Sequence, residues 1–264
     1  MNILMAILVL GTMSLLFGFG LSYASKKFKT DEDPRLETIT EALPSANCGA
    51  CGYPGCVNFA QALLSDTAKP EACPVANFDA LQIIGTLLGL SVKENIRKTA
   101  YIRCGGGLSN SNNLYLYEGM GSCVAAMQLA AGGAKTCAAG CLGQGSCAAV
   151  CDFDAITVKD GIAKVDNEKC VSCKLCLPAC PKNLIVMVPQ TSHVRVACNS
   201  QDDGRTVRGN CKVGCINCNI CIRNCKQGAI HIYQQLADID YEKCIQCGDC
   251  VKKCPTKCIK EMTT

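Results

Sequence analysis

Residues 137 to 181 match residues 211 to 255 at a constant offset of 74, without a gap. Eight cysteines keep that register: Cys137, Cys141, Cys147, Cys151, Cys170, Cys173, Cys176 and Cys180 fall on Cys211, Cys215, Cys221, Cys225, Cys244, Cys247, Cys250 and Cys254. Gly140 and Gly214, Ala155-Ile156 and Ala229-Ile230, Asp166 and Asp240, and Pro181 and Pro255 keep it too. A gapless internal repeat means that one supersecondary unit is used twice. Here each copy is built around thiols. The whole chain has 25 cysteines in 264 residues, an odd number, and no secretory signal with basic residues ahead of its apolar run, so a disulfide scaffold is excluded. Aromatic residues make up 5%, Trp is absent and charged residues are 18%, which excludes both a large aromatic core and a solvated disordered chain. Bound metal must supply the missing core.

The second half of each repeat reads C-x2-C-x2-C-x3-C-P, the run with which bacterial ferredoxins hold pairs of 4Fe-4S clusters. Three close thiolates cap one cluster and the fourth cysteine ligates its neighbour. In the second repeat this predicts one cluster on Cys215, Cys218, Cys221 and Cys254, and another on Cys244, Cys247, Cys250 and Cys225. The first repeat departs at one place, because Gln144 occupies the position of Cys218. Cys137, four residues before Cys141, is the nearest replacement, giving one cluster on Cys137, Cys141, Cys147 and Cys180 and another on Cys170, Cys173, Cys176 and Cys151. Cys211 is then redundant, unless it displaces Cys218. Zinc is the competing reading of any C-x2-C pair, but it needs two pairs, whereas these runs carry three or four cysteines and a proline.

Upstream, Ile3 to Ala24 is an uncharged stretch of 22 residues followed by Lys26, Lys27 and Lys29. At about 1.5 Å per residue it spans the ~30 Å hydrocarbon layer as one helix, and the basic flank predicts that the body after it stays in the cytoplasm. Pro34 opens a short helical pattern. Next comes NCGACGYPGC, with Cys48, Cys51 and Cys56, followed by Cys73 in EACP, a fifth four-thiolate set among the helical patterns at Val57–Ala68 and Phe78–Leu90. The expected fold is α+β: an anchor (1–25), a helical 4Fe-4S module (26–90), a linking segment (91–136) with one helix in AAMQLAAGGA, a two-cluster ferredoxin unit (137–190), a linker (191–210) and a second such unit (211–264). Five clusters use 20 of the cysteines; Cys104, Cys123, Cys198, Cys211 and Cys258 are left over, and Cys258 falls on the apolar position of Leu184. GQGSCA at Gly143–Ala148 imitates a dinucleotide fingerprint but follows no strand, so neither NAD nor flavin is expected to bind this chain. No nucleic-acid partner and no acid, base or nucleophile is called for, so no catalytic residue is assigned.

The order of membrane helix, NCGACGYPGC module and tandem ferredoxin runs resembles the B subunit of the Rnf complex, in the longer form seen in clostridia. The resemblance covers nearly the whole chain. It implies a component of a membrane ferredoxin:NAD oxidoreductase that couples electron transfer to Na+ or H+ transport. It also implies soluble ferredoxin as donor, the other complex subunits and the lipid bilayer as partners, and electron relay as this chain's part. A ferredoxin-like subunit of another membrane oxidoreductase is the alternative, and a zinc-binding structural module a more distant one.

Overall fold

The computed structural model describes residues 2–27, 33–92 and 97–262. Helix α1 (Asn2–Lys27) holds an apolar span, Ile7–Ser25, of mean hydropathy 1.8, none of it buried against protein. Leu8, Leu16, Phe17, Phe19 and Leu21 all stand exposed around it. A helix apolar on every side and covered by no protein suits the bilayer. Of its basic flank, Lys29 lies outside the described residues.

The N-terminal module packs α2 (Pro34–Ala42), α3 (Cys56–Leu64) and α4 (Phe78–Leu88) around Ile39, Leu43, Phe59, Leu63 and Ile84. Local chemistry fixes the ends. Asp33 caps α2 ahead of Pro34 at its first turn. Asn77 caps α4, accepting from the Ala80 amide at 2.8 Å. Gly89, at φ 68, closes α4 two residues before the end that the apolar pattern predicts.

Beyond it lie two ferredoxin units of the same plan. In the first, β1 (Lys98–Ile102) pairs antiparallel with β4 (Ile185–Pro189), and between them come α5 (Cys123–Met127), α6 (Ser146–Ala149) and the hairpin of β2 (Ile156–Lys159) with β3 (Ile162–Val165). In the second, β5 (Val194–Val196) pairs with β8 (Ile259–Glu261). Between these lie α7 (Gly204–Asn210), α8 (Ile220–Asn224), the β6 (Ile230–Tyr233) and β7 (Leu236–Ile239) hairpin, and α9 (Asp249–Lys253). The repeat landmarks have the same local work in both copies. Asp166 Oδ1 accepts from the Glu168 amide at 2.9 Å, and Asp240 Oδ1 from the Glu242 amide at 3.0 Å. Their own amides donate to Ala155 and Ala229, each at 2.8 Å. These Asx turns aim the chain into the next cysteine run.

Two sequence expectations change. Each unit begins before the visible repeat, with β1 in the expected linking segment and β5 in the expected linker. The helix expected in AAMQLAAGGA is only the five residues of α5, followed by a 3-10 turn at Ala130–Gly132. Ala131, Gly132 and Gly133 all take positive φ there, which no α-helix continues through.

The strand pairing also reveals a longer repeat. Ile102 faces Ile185, and Val196 faces Ile259. Since Ile185 and Ile259 are 74 apart, β1 and β5 are equivalent at an offset of 94. The first unit therefore carries 20 extra residues between Cys104 and Cys137, relative to the stretch between Cys198 and Cys211.

Candidate iron-sulfur centres

In the N-terminal module the four thiols gather at the mouth of α3. Cys56 opens that helix, and its amide donates to Asn47 Oδ1 at 2.9 Å. Asn47, Gly49 and Gly52 take φ values of 47, 69 and 90, bending the loop so that Cys48 and Cys51 return to the same end. Cys73 follows the 3-10 turn Pro70–Ala72. Burial and the nearby Cys51 and Cys48 thiols push its thiol pKa up, while the Val75 and Ala76 amides hold it down.

The cysteine runs of the two units share a backbone design. The turning residues between successive cysteines have positive φ: Gly143 and Gly145, Ser172 and Lys174, Asn217 and Asn219, Gln246 and Gly248. The glycines of GQGSCA are thus turn positions of a cysteine loop, matched at offset 74 by Asn217 and Asn219. Amides then point at sulfur. Leu184 donates to Cys180 Sγ at 3.4 Å and Cys258 to Cys254 Sγ at 3.2 Å, equivalent bonds in the two units. Ala229 donates to Cys225 Sγ at 3.3 Å. Such N–H···S bonds stabilise thiolate and tune a cluster's potential.

Cavities lie between these runs. Cys215, Cys218, Cys221 and Cys254 line one, and Cys151, Cys170, Cys173 and Cys176 line another. Cys225, Cys244, Cys247 and Cys250 come from the loops expected to share a centre; Cys244, Cys221 and Cys247, after burial, push Cys250 up to about 11. The remaining set differs from the sequence expectation. Cys141, Cys147 and Cys180 line a cavity whose fourth cysteine is Cys123, at the start of α5. The Cys123 amide is pinned by Ser146 Oγ at 2.8 Å. Cys137 instead faces Cys104, Cys198 and Cys211 across a separate cavity. The reason is the 20-residue insertion: it brings a new cysteine over the loop in which Gln144 replaces the expected ligand. No motif spacing announces Cys123. The signal was the unequal distance from Cys104 to Cys137 and from Cys198 to Cys211.

The donor set fits cubanes and not zinc. A tetrahedral zinc site draws its sulfurs to about 2.3 Å from the metal, hence about 3.8 Å from one another. Among the described residues no group of three or more His, Cys, Asp or Glu closes that far round a single ion. The thiols stand around cavities instead. Burial, the leading cause, pushes Cys147 and Cys176 up to about 12 and Cys221 up to about 11. Thiols so raised become thiolates only with a cation to offset the charge.

Neighbouring sets lie within range of one another's charge. Cys221 is among the charges that raise Cys250, and Cys147 among those that raise Cys176. Cys48, in the N-terminal module, acts on Cys173. A cleft between that module and the first unit is lined by Cys73 and Phe78 on one side and by Ser172 and Lys174 on the other.

Family models cover the same regions: an Fe-S cluster family matches residues 43–75, a 4Fe-4S binding domain 163–186 and a 4Fe-4S dicluster domain 214–258. The chain is 42% identical over 258 residues to the B subunit of the Na(+)-translocating ferredoxin:NAD(+) oxidoreductase complex of Acetobacterium woodii, covering 97% of this chain and 77% of that one. This chain belongs to the family of Rnf complex B subunits. The B subunit of the ion-translocating oxidoreductase complex of Methanosarcina acetivorans is 39% identical, over 97% of both chains. That of the proton-translocating ferredoxin:NAD(+) oxidoreductase complex of Clostridium ljungdahlii is 35% identical, over 100% of this chain and 94% of that one. Other B subunits, such as that of Cronobacter sakazakii, align over only 33% of this chain.

Proposed function

We propose that this Rnf-type B subunit is a membrane-anchored electron relay: it accepts electrons from reduced ferredoxin and passes them, centre by centre, to the membrane-embedded partners of an ion-translocating ferredoxin:NAD oxidoreductase. Bound 4Fe-4S clusters supply one-electron transfer without proton movement or bond making. The carrying observation is that thiol sets lie within range of one another's charge: Cys250 with Cys221 in the second unit, Cys176 with Cys147 in the first, and Cys173 with Cys48 of the N-terminal module.

The residues suit those tasks. Buried thiols and their amide donors exclude water and fix the sulfurs, so little reorganises when charge passes. The C-terminal end suits input: Cys247 is the one exposed cysteine among the described residues. Exposed Arg223, Lys226, Lys243, Lys252, Lys253 and Lys257 flank that run. A ferredoxin loaded with anionic clusters is attracted by such a surface. The N-terminal module suits output, since α1 keeps it near the bilayer, with the body on the cytoplasmic side. Rapid mixing with reduced ferredoxin tests this reading. Lys252→Glu with Lys253→Glu is expected to slow cluster reduction about tenfold or more at low salt, a difference that shrinks as salt screens the charges. A rate unchanged at low salt removes the C-terminal face as the docking site.

A further inference from the structure

We propose that Cys104, Cys137, Cys198 and Cys211 hold a further 4Fe-4S cluster, the sixth in the chain, which joins the two ferredoxin units into a single relay. The inference rests on the relay reading above and adds a centre that no ferredoxin motif describes.

These four cysteines line one cavity, as the thiols of the ferredoxin runs line theirs. They arrive in equivalent pairs. Cys104 lies two residues beyond the end of β1 and Cys198 two beyond β5; Cys137 and Cys211 each precede a ferredoxin run by four residues. Each unit thus gives two ligands from the same places, and the site lies on the pseudo-symmetric seam between them. Backbone bonds close that seam: Gly105 donates to Ala197 and Lys212 to Asn110, both at 2.8 Å.

The surroundings match those of the ferredoxin sites. Amides two residues on, at Ala139, Ser200 and Val213, point at Cys137, Cys198 and Cys211, as Gly143 and Asn217 point at Cys141 and Cys215. A cation is also buried at the wall. Lys135 is 6% exposed and its Nζ donates to the Gly106 carbonyl at 2.8 Å and the Gly161 carbonyl at 3.0 Å. Among the described residues it has no carboxylate partner. A buried charge without a counter-ion is costly, and a cluster with four thiolates, carrying about −2 when oxidised, supplies one. The wall facing the sulfurs is bare: a Cβ on Gly106 would stand 3.1 Å from Cys211 Sγ and 3.9 Å from Cys104 Sγ.

Its neighbours give the site its role. The Cys141 amide donates to Cys104 Sγ at 3.4 Å, tying it to the set of Cys123, Cys141, Cys147 and Cys180. On the other side the buried Cys258 thiol lies between Cys198 and Cys215, the latter a member of the second unit's first set. An electron leaving that set reduces the sixth cluster, which is reoxidised by passing one electron to the Cys123 set. No proton is required.

The test is iron and acid-labile sulfide per full-length chain, prepared anaerobically in detergent, with Cys104→Ser/Cys198→Ser beside wild type and Gly209→Ala, in open space, as control. Six cubanes predict about 24 iron in wild type and the control, and about 20 in the double variant. Gly106→Val keeps all four thiols but fills the cradle, and is expected to lose about four iron as well; it decides the matter if the double variant does not fold. Lys135→Met is expected to retain iron while moving one redox transition to lower potential. About 20 iron in wild type, undiminished in both variants, overturns the sixth site and leaves the relay standing. Zinc with no sulfide in wild type overturns the relay itself.

Discussion

The reassignment of Cys123 and Cys137 makes a prediction that separates two ligand schemes with one counting experiment. If Cys123 completes the Cys141, Cys147 and Cys180 set, Cys123→Ser removes one cubane, about 4 of some 24 iron atoms, or a sixth of the charge-transfer absorption. The structure also provides a rescue. Gln144 stands where the second unit has Cys218, between Gly143 and Gly145 at φ 71 and 78, as Cys218 stands between Asn217 and Asn219 at φ 52 and 58. A thiol at 144 therefore enters the loop as Cys218 does, and Gln144→Cys in the Cys123→Ser background is expected to restore about 24 iron. Combining Cys123→Ser with Cys137→Ser is expected to remove about eight iron, because the two serve different centres. The assay is iron and sulfide analysis with EPR of the reduced proteins. A full count in Cys123→Ser, or a pair that loses no more than Cys137→Ser alone, would refute the reassignment.

Other consequences follow from packing and charge. Phe59 is 1% exposed at the centre of the N-terminal module, so Phe59→Ala is expected to destabilise that module by about 3 to 5 kcal/mol, read by thermal unfolding. Gly143 has φ +71 and an added Cβ would stand 2.5 Å from the Gly161 carbonyl oxygen; Gly143→Ala is expected to lower cluster occupancy in the first unit, while Gly209→Ala, in open space, leaves it unchanged. With the six clusters proposed above, each carrying about −2, loading takes the formal +4 to about −8. Native isoelectric focusing is expected to place the holoprotein well below the apoprotein's basic position; coincident bands would contradict the charge assignment.

Most of the architecture was legible because cluster ligation leaves rigid spacings. The offset of 74 reported the paired units, and the uncharged run ahead of Lys26 reported the anchor, since both follow from local geometry. Strand partners were less visible: β5 is only three residues long, Val194–Val196, and its pairing with β8 is a tertiary fact. Cys104, Cys123 and Cys198 carried no motif because their partners are remote in sequence. Spacing detects ligands on one loop; it does not detect a site assembled from two strand ends and two loop starts. Gln144 was readable as a missing ligand, yet the nearest cysteine in sequence is not the one that lines the same cavity: Cys123 does so from the insertion, while Cys137 turns to the seam.

Anaerobic reductive titration of the full-length protein with titanium(III) citrate tests the relay most directly, because it counts one-electron acceptors in the intact chain. Six loaded centres predict uptake of about six electrons per chain, each accompanied by bleaching of iron-sulfur absorption. Uptake of none, with the spectrum unchanged, would contradict the relay.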